Sequence, residues 1–472
     1  MDNAMKIFKK IYVIVLAAVC ALPLILTPLF GESESAEKRD LAAFPSLIKD
    51  GGLNLSFPAE LDDWITDHFV FRSELITANN LLKSEIFATS DEDQVIVGEE
   101  DWLYFAETAD DYLGLNRLSD RDIERIAMVT DLMEEYVAGK GGRFVFAVAP
   151  NKNTIYPEYM PDYYRQTAEA TNLDRVTSLM SGRPYFADLR GALLKAKAEG
   201  ETLYHARDSH WNNLGAVCGM NAILDAAGKP HETYQAAPLS WERTWDGDLD
   251  AMIFPSLGYK DRQAVFDVDW TYEYTSNFHT EEDLRITTEN ADGEGALLIF
   301  RDSFSNALLP FLAQTYQTAT FSRTVPYALY ELEETPYDTV VLEIVERNLR
   351  NLLTAAPVMP APQRTLDATP EAAGSAVMES REYNGYLHFY GTLPEDAVQE
   401  ASHIYLRLDD GDAVRYVEAF PVYEASLLDG DEDEQDGAVR SNGFSAYLTP
   451  EDGENAAVSV VVQTADGYYA YQ

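Results

Sequence analysis

"GALLIFRDSFSNALLPFLAQTY", residues 295–316, is the stretch that decides the fold. Its apolar run at residues 296–300 predicts a strand buried on both faces. Residues 301–306, which are polar apart from Phe304, predict a turn, and the apolar residues that recur beyond them predict a helix. Ser303 therefore lies where a buried strand gives way to a helix. In an open α/β sheet, ligands gather at this carboxyl end of the strands.

The same alternation of strand and helix recurs on both sides of this stretch. Ser119 is predicted to cap a helix that Gly139 ends. Further strand and helix signals are "RFVFAVAP" at 143–150, "GRPYFADLRGALLKAKAEG" at 182–200 and "YDTVVLEIVERNLRNLL" at 337–353. This order predicts a mostly parallel α/β sheet with helices on both faces. We assign residues 32–354 to this domain.

The N-terminus reads as a membrane segment. Lys6, Lys9 and Lys10 precede residues 11–30, which carry no charge and are long enough to cross a bilayer at about 1.5 Å per residue. The lysines predict that the N-terminus stays inside and the bulk of the chain lies outside. We expect residues 1–31 to be a cytoplasmic tip and single-pass anchor in the cell membrane; a cleaved signal segment, and so a secreted protein, is the alternative.

The composition changes near residue 355. Residues 355–374 are rich in Pro and Ala and predict a linker. Residues 375–472 contain short aromatic and β-branched runs separated by turn residues. This pattern predicts a small antiparallel β-sandwich.

Charge and cysteine content exclude several functions. The chain has 35 basic and 80 acidic residues, a net charge of −45. Such a surface repels phosphate backbones, so nucleic acid is not expected as a partner. The two cysteines, Cys20 and Cys218, fall in the membrane segment and in the body, so we expect no disulfide within the chain and no cysteine-based zinc site. We expect no metal and no cofactor.

The stretch "HARDSHWNNLGA", residues 205–216, concentrates two of the seven histidines. In an extended or turning segment Asp208 and His210 point to the same side, so the carboxylate can hold the imidazole in one tautomer. His205 is the second candidate for a base. Trp211 is expected to wall the pocket, and Asn212 to cap the helix that follows.

A nucleophile for His210 is predicted 93 residues later. Ser303 lies at the expected carboxyl edge, where backbone N–H groups at a helix start can face an oxyanion. We therefore predict that Ser303 attacks an ester, His210 takes its proton and Asp208 orients His210. Ser305 is the rival nucleophile, and Asp302 is expected to be either a helix cap or a metal ligand.

Several motifs together resemble the DHHW-type and alginate O-acetyltransferase (AlgX/AlgJ-like) family of the SGNH hydrolase superfamily. In chain order they are "DHFVFRSELI" (67–76), "VIVGEEDWLYF" (95–105), "FAVAPNKNTIYPEYMP" (146–161), "RDSHWNNLGA" (207–216), "IFRDSFSNAL" (299–308) and "VVLEIVERNL" (340–349). The resemblance implies an SGNH hydrolase-like fold and a catalytic triad of Asp208, His210 and Ser303. It also implies an exported protein that acetylates a polysaccharide, with a membrane-bound O-acyltransferase as acetyl supplier. The C-terminal segment has no counterpart in it and looks like a carbohydrate-binding or spacer module.

Four further residues are candidates for contact with substrate or oxyanion, besides Trp211. Asn151 and Lys152 follow a predicted strand end; the alternative is that they only cap a loop. Arg347 also ends a strand, and its alternative is a salt bridge with Glu343 or Glu346. Arg301 stands where the family has a small residue, so it either crowds the oxyanion site or supplies a cationic donor.

The leading hypothesis is an extracytoplasmic O-acetyltransferase that acts on a cell-surface or exported polysaccharide through an acyl-serine. A carbohydrate acetylesterase with the same triad is the first alternative, because only exclusion of water separates the two reactions. A non-catalytic glycan-binding surface protein is the second. The sequence does not identify the polymer, the acyl group or the oligomeric state.

Overall fold

The structure is a computed structural model that describes residues 7, 9–15, 17, 26–27, 41–49, 51–166, 170–423, 440–453 and 456–472. The predicted membrane segment, residues 11–30, falls largely outside the described residues. Among those that are described, no helix combines the length and the apolar character that a membrane crossing requires.

The strands, numbered in chain order, are β1 Ile48–Lys49, β2 Gly52–Leu53, β3 Val95–Val97, β4 Leu103–Phe105, β5 Arg143–Ala149, β6 Phe186–Ala187, β7 Leu239–Trp245, β8 Asp261–Phe266, β9 Glu273–Tyr274, β10 Arg285–Glu289, β11 Ala296–Phe300, β12 Thr318–Ser322, β13 Thr339–Val345, β14 Gln363–Arg364, β15 Glu371–Gly374, β16 Val377–Tyr383, β17 Tyr386–Thr392, β18 His403–Asp409, β19 Val414–Val422, β20 Gly443–Leu448, β21 Ala457–Thr464 and β22 Gly467–Tyr471.

The α-helices are α1 Phe57–His68, α2 Arg72–Phe87, α3 Ala109–Leu113, α4 Asp120–Gly139, α5 Lys152–Ile155, α6 Asn172–Met180, α7 Leu189–Ala198, α8 Asn213–Ala227, α9 Asp248–Ile253, α10 Leu309–Thr315 and α11 Pro450–Gly453. Short 3-10 helices span Ala106–Thr108, Pro157–Tyr159, Ser303–Asn306, Leu329–Glu333, Glu346–Leu353 and Glu395–Ala397.

A seven-stranded sheet forms the centre of the α/β domain. Its strand order is β6-β5-β13-β11-β12-β10-β9. The strands from β6 to β12 pair in parallel, whereas β10 pairs antiparallel with both β12 and β9. The predicted α/β fold with a mostly parallel sheet is therefore confirmed.

Both faces of this sheet are buried, as an apolar run without alternation requires. In β11, Leu297 and Ile299 face one apolar cluster, with helices α7, α8 and α10. Leu298 and Phe300 face the other cluster, with α4 and α6. Burial of each such side chain stabilises the fold by about 1.5–3 kcal/mol. The sheet and the ends of its strands are thus held rigidly from both sides.

Two helix starts follow the predicted capping residues. Ser119 and Asp122 form a reciprocal capping box at the start of α4. Asn212 caps α8 by accepting hydrogen bonds from the backbone N–H groups of Leu214 and Gly215. The segment after β13, predicted as a helix, forms the 3-10 helix Glu346–Leu353.

The C-terminal segment forms a sheet of nine strands, and its arrangement as a small antiparallel β-sandwich stays a prediction. Strands β14 to β22 all belong to it. The nine-residue strand β19 joins its halves: residues 414–419 pair with β18, and residues 420–422 pair with β20. Side chains from both halves, including Leu406 and Phe444, share one core. The strand pairing is antiparallel except at the edge of the sheet, where β15 runs parallel to β22.

The C-terminal sheet packs on the α/β domain at α4. Phe420 and Val422 of β19 belong to the apolar cluster that also contains α4. Arg364 adds a charged contact, since it pairs with Glu135 of α4 and with Glu418. Residues 355–374, predicted as a linker, contribute β14 and β15 to this sheet. The domain boundaries themselves stay predictions.

Candidate active site

Three neighbouring parallel strands end at one edge of the sheet, and each is followed by a candidate site residue. Asn151 follows β5, Arg347 follows β13 and Ser303 follows β11. Because β5, β13 and β11 are adjacent, the sheet brings these three segments together.

The turn that carries Ser303 is fixed by Asp302. The Oδ1 atom of Asp302 accepts a hydrogen bond from the backbone N–H of Phe304 (2.9 Å), and Oδ2 accepts one from the N–H of Val345 (2.6 Å). Asp302 is therefore the cap of the 3-10 helix that starts at Ser303, and it ties the ends of β11 and β13 together. Of the two roles predicted for Asp302, the structure shows the cap.

Ser303, His210 and Asp208 form a continuous chain of hydrogen bonds. The Oγ of Ser303 lies 2.8 Å from Nε2 of His210, and Nδ1 of His210 lies 2.8 Å from Oδ1 of Asp208. Because Asp208 accepts the Nδ1 proton, Nε2 is left as the acceptor for the Ser303 hydroxyl. The structure thus brings together three side chains that lie up to 95 residues apart in the sequence.

Asp208 is buried, and both of its carboxylate oxygens are filled. Oδ1 accepts from the backbone N–H and Nδ1 of His210 (2.7 and 2.8 Å). Oδ2 accepts from Nε1 of Trp245 (2.9 Å) and the backbone N–H of Asp248 (3.0 Å). Burial favours the neutral acid, but the charge of His210 and these hydrogen bonds outweigh it and hold the pKa of Asp208 well below its usual value.

A second carboxylate, Asp248, lies beside the imidazole and was not anticipated from the sequence. Its Oδ2 is 3.5 Å from Nδ1 of His210 and accepts the Ser209 hydroxyl at 2.5 Å. Its Oδ1 accepts the backbone N–H groups of Ser209 (2.8 Å) and Leu249 (2.7 Å). Burial, followed by the charge of Asp208, raises the pKa of Asp248. The three donors to Asp248, the Ser209 hydroxyl and the backbone N–H groups of Ser209 and Leu249, act in the opposite direction and favour the ionised carboxylate.

The surroundings make His210 a stronger base than an isolated histidine. Burial disfavours the imidazolium, but Asp208 and then Asp248 outweigh it, so the pKa of His210 is raised; Arg347 acts in the opposite direction. The ligand atoms of Asp208, His210 and Asp248 lie within 4.8 Å of one another. A metal ion there would have to displace the hydrogen bonds that fill Asp208, so this donor set fits a carboxylate–imidazole pair better than a metal centre.

Lys152 supports the loop that carries the Asp–His pair. Its buried ammonium donates to three backbone carbonyls, those of Leu103 (2.7 Å), Ala206 (2.6 Å) and Asp208 (2.9 Å). Burial lowers the pKa of Lys152 to about 7, while the three carbonyls favour the charged form. The three carbonyls use all three N–H groups of the ammonium. The predicted contact of Lys152 with substrate therefore stays a prediction, and it requires one of these hydrogen bonds to break.

Asn151 is also buried. Its backbone N–H donates to Glu346 (2.8 Å), and its Nδ2 donates to Asp111 (3.3 Å). Burial raises the pKa of Glu346 to about 7. Asn151 thus connects the ends of β5 and β13, and its predicted contact with substrate or oxyanion is not tested by this geometry.

Trp211 and Phe304 pack beneath the imidazole. Nε1 of Trp211 donates to the carbonyl of Phe304 (2.9 Å), and the two rings meet edge to face at 5.2 Å. The Phe304 ring lies 4.9 Å from that of His210. Trp211 is fully buried, so it supports the ring that touches His210, and a direct contact with substrate stays a prediction.

Arg347 is the half-buried cation at the rim of this site. Its guanidinium lies over the rings of Phe105 (5.4 Å) and Phe304 (5.9 Å). In the described part of the chain no hydrogen bond or ion pair joins it to Glu343 or Glu346, the partners of the alternative prediction. Its charge is therefore not cancelled by a bound carboxylate, and a role in substrate binding stays open for it.

Arg301 is buried and turned toward a neighbouring loop. Its guanidinium donates to Oδ1 of Asn306 (2.6 Å) and to the carbonyl of Glu281 (2.7 Å). Burial lowers the pKa of Arg301 to about 10. To donate to an oxyanion, as one of its two predicted roles requires, Arg301 would have to break these hydrogen bonds.

The two rival catalytic candidates have structural contacts. Ser305 is fully buried and donates to Glu343 (2.7 Å). The ring of His205 is stacked on Trp245 at 4.8 Å, and burial lowers the pKa of His205 to about 4. Since Trp245 donates to Asp208, His205 supports the carboxylate rather than facing Ser303.

A Ser–His–Asp chain at the carboxyl edge of a parallel α/β sheet is an arrangement that several classes of serine hydrolase share. Residues 95–265 match the family model of the SGNH hydrolase-like domain of acetyltransferase AlgX. This match and the sequence similarity to AlgJ given below confirm the resemblance to the AlgX/AlgJ-like family.

The chain is 28% identical over 149 residues to the probable alginate O-acetylase AlgJ of Pseudomonas syringae pv. tomato, which covers 31% of this chain and 35% of that protein. The chain thus spans about a third of the length of the curated relatives it matches. The O-acetyltransferase domain of Pseudomonas putida AlgJ is 19% identical, covers 54% of this chain and 91% of its own, and has a TM-score of 0.36. A DHHW family protein from Eubacterium siraeum is 18% identical, covers 48% and 85%, and has a TM-score of 0.39.

Proposed function

We propose that this protein transfers an acetyl group to a hydroxyl of a polysaccharide outside the cytoplasm, with Ser303 as the acyl carrier. The observation that carries the proposal is the unbroken hydrogen-bond chain from Ser303 through His210 to Asp208. The O-acetylase names of the relatives support acetyl transfer as the reaction.

In the first half-reaction, Oγ of Ser303 attacks the carbonyl carbon of the acetyl donor and its proton passes to Nε2 of His210. The negative charge that forms on the carbonyl oxygen is stabilised by backbone N–H groups at the start of Ser303–Asn306. The N–H of Phe304 is already bonded to Asp302, so the N–H of Ser303 is the donor we assign to the oxyanion. Collapse expels the donor's alcohol, which takes the proton from His210.

In the second half-reaction, a sugar hydroxyl attacks the acetyl-serine. His210 takes the hydroxyl proton and returns it to Oγ of Ser303 as the ester bond to the enzyme breaks. Asp208 stabilises the imidazolium in both halves. Asp248 adds a second negative charge beside the same ring, and Lys152 holds the backbone of Asp208 in place.

The carbohydrate acetylesterase reaction is the alternative, with water in place of the sugar. The same three side chains serve both, and the outcome depends on whether the acceptor excludes water from the acetyl-serine. Incubation of the protein with an acetyl ester and alginate oligosaccharides separates the transferase from the esterase reaction. Alginate is chosen because the relatives are named as alginate O-acetylases. Acetylated oligosaccharide in the mass spectrum supports transfer, and acetate alone supports hydrolysis.

Ser303→Ala tests the nucleophile, with release of chromophore from an acetyl ester as the readout. We expect the variant to react no faster than buffer, because no other described hydroxyl is bonded to His210 Nε2. Ser305→Ala is the matched control, since it removes a neighbouring hydroxyl that is bonded to Glu343. Equal rates for Ser303→Ala and the unmodified protein would rule the triad out.

Localisation and acetyl supply belong to the same proposal. The uncharged residues 11–30 after Lys6, Lys9 and Lys10 support a membrane anchor with the catalytic domain outside. Acetyl donors are made in the cytoplasm, so a membrane-bound O-acyltransferase partner is the proposed supplier. Protease protection of the C-terminal domain in intact cells would contradict this orientation.

A further inference from the structure

Exposed apolar side chains are concentrated near the N-terminus of the described chain. Of the 27 large apolar side chains that are exposed in the described residues, ten lie within residues 44–87. Helix α2 contributes a row of them: Leu75, Ala78, Leu82 and Ile86. We call these four residues the outer row.

The residues that helix α2 buries most completely are polar, the reverse of a helix on a water-soluble domain, while Leu81 also packs against the apolar side chains of α9. Its buried residues are Ser73, Thr77 and Asn80. The hydroxyl oxygen of Thr77 accepts from the backbone N–H and the hydroxyl of Ser256 (3.0 and 2.9 Å), and Nδ2 of Asn80 donates to the carbonyl of Ile253 (2.9 Å). These bonds fix the rotation of the helix, so the outer row is held facing away from the protein.

The predicted membrane segment meets the start of this helix. The backbone N–H of Val70, two residues before α2 begins, donates to Oγ1 of Thr27 (3.0 Å). Thr27 is near the end of the uncharged run at residues 11–30. The described end of that run is thus hydrogen-bonded to the chain two residues before the helix that bears the outer row. Lipid is therefore the apolar surrounding that lies nearest to it.

We propose that the outer row of α2 rests in the interface of the bilayer that residues 11–30 span. The proposal rests on the membrane localisation proposed above. An apolar helix face at the boundary between headgroups and acyl chains is stable there, because lipid covers it while the rest of the helix contacts polar groups.

This placement would set the catalytic centre close to the membrane. The inward face of α2 bonds to Ile253 and Ser256, at and just after the end of α9, and α9 begins at Asp248 beside His210. The diameter of a helix, about 10 Å, and six residues of rise at about 1.5 Å each put the imidazole no farther than roughly 20 Å from the lipid. A site at that height suits an acetyl donor presented by a protein embedded in the same membrane.

The test uses the full chain with Cys20→Ser and Cys218→Ala, which leaves no other cysteine. Leu82→Cys is labelled with an environment-sensitive fluorophore, and the protein is reconstituted into phosphatidylcholine vesicles that contain spin-labelled phosphatidylcholine. Val377→Cys on β16 is the matched control, because Val377 is 64% exposed and Leu82 is 60% exposed. Hydrolysis of a soluble acetyl ester reports that both variants are folded.

We expect the spin label to quench the fluorophore at Leu82 by about half and to leave that at Val377 unchanged. Co-flotation of the chain with vesicles but equal, weak quenching at both positions would overturn the lipid contact while leaving the anchor intact. Cross-linking between copies through an unquenched Leu82→Cys would assign the row to a second copy and overturn it as well. Failure of the chain to float would overturn both the anchor and the lipid contact, whereas loss of ester hydrolysis upon Ser303→Ala bears on catalysis alone.

Discussion

Asp248→Asn tests whether the second carboxylate tunes His210. The reaction needs neutral His210, so the rate falls as the pH drops through the pKa of this residue, which is raised above the usual 6.5. The negative charge of Asp248, 3.5 Å from Nδ1, favours the imidazolium. Removing that charge lowers the pKa of His210, so the acid limb of the pH profile moves to lower pH.

The magnitude follows from the distance and the surroundings. Two unit charges 3.5 Å apart attract by about 5 kcal/mol at an effective dielectric constant of about 20. Asp248 shares its charge with the donors Ser209 and Leu249 and is partly open to solvent, so its effect is smaller. We expect the pKa of His210 to fall by about 1 to 2, equivalent to about 1.4–2.7 kcal/mol of stabilisation of the imidazolium.

The assay is kcat/KM for a chromogenic acetyl ester, measured from about pH 5 to pH 8. Ser209→Ala is the control, because it removes the hydroxyl between Asp248 and the ring but retains the charge. The acid limb of the Ser209→Ala profile should stay at the wild-type pH or move to higher pH. A lower rate for Asp248→Asn with an unmoved acid limb would refute the electrostatic role and leave Asp248 as a loop support only.

Three further substitutions, and Lys49→Met as the control for one of them, give expected outcomes. Arg347→Gln should move the same acid limb to higher pH, because the guanidinium opposes protonation of the nearby imidazole; a shift to lower pH would contradict this. Lys152→Met should lower the free energy of unfolding in urea by about 3 kcal/mol or more, since three buried carbonyls lose their donor. Lys49→Met, at an exposed ion pair, should change it by less than about 0.5 kcal/mol. His205→Phe should retain ester hydrolysis within about tenfold, because a phenyl ring can keep the stack on Trp245; abolished activity in a folded protein would make His205 the base.

The sequence predicted those features that depend on neighbouring residues. The apolar run before Ser303 is a strand buried on both faces, and the turn after it places the serine at the carboxyl edge. The spacing of Asp208 and His210 allows both to face one side in an extended loop, and they do so. Capping by Ser119 and by Asn212 was likewise predicted from residues within one turn of each helix start.

The features that were missed depend on contacts between distant segments. Lys152 lies beside Asn151 in the sequence, but its acceptors come from two distant segments, the start of β4 at Leu103 and the loop at Ala206 to Asp208. In the C-terminal sheet, the alternation of residues predicted strands, but it does not specify that β19 pairs with β18 in one half and β20 in the other. Pairing partners are chosen by long-range packing, which a local pattern does not contain.

Asp302 and Asp248 show why a carboxylate at a helix start is ambiguous in a sequence. Each accepts a backbone N–H within the next two residues, as any capping residue does. What separates them is the second carboxylate oxygen: in Asp302 it accepts from Val345 and joins two strands, whereas in Asp248 it faces His210. That difference is set by the β7–β8 hairpin region that returns the chain to the Asp–His loop 40 residues later. A carboxylate can therefore be assigned to a site only when the partner of its second oxygen is known. That partner is set by the folded chain and not by the neighbouring sequence.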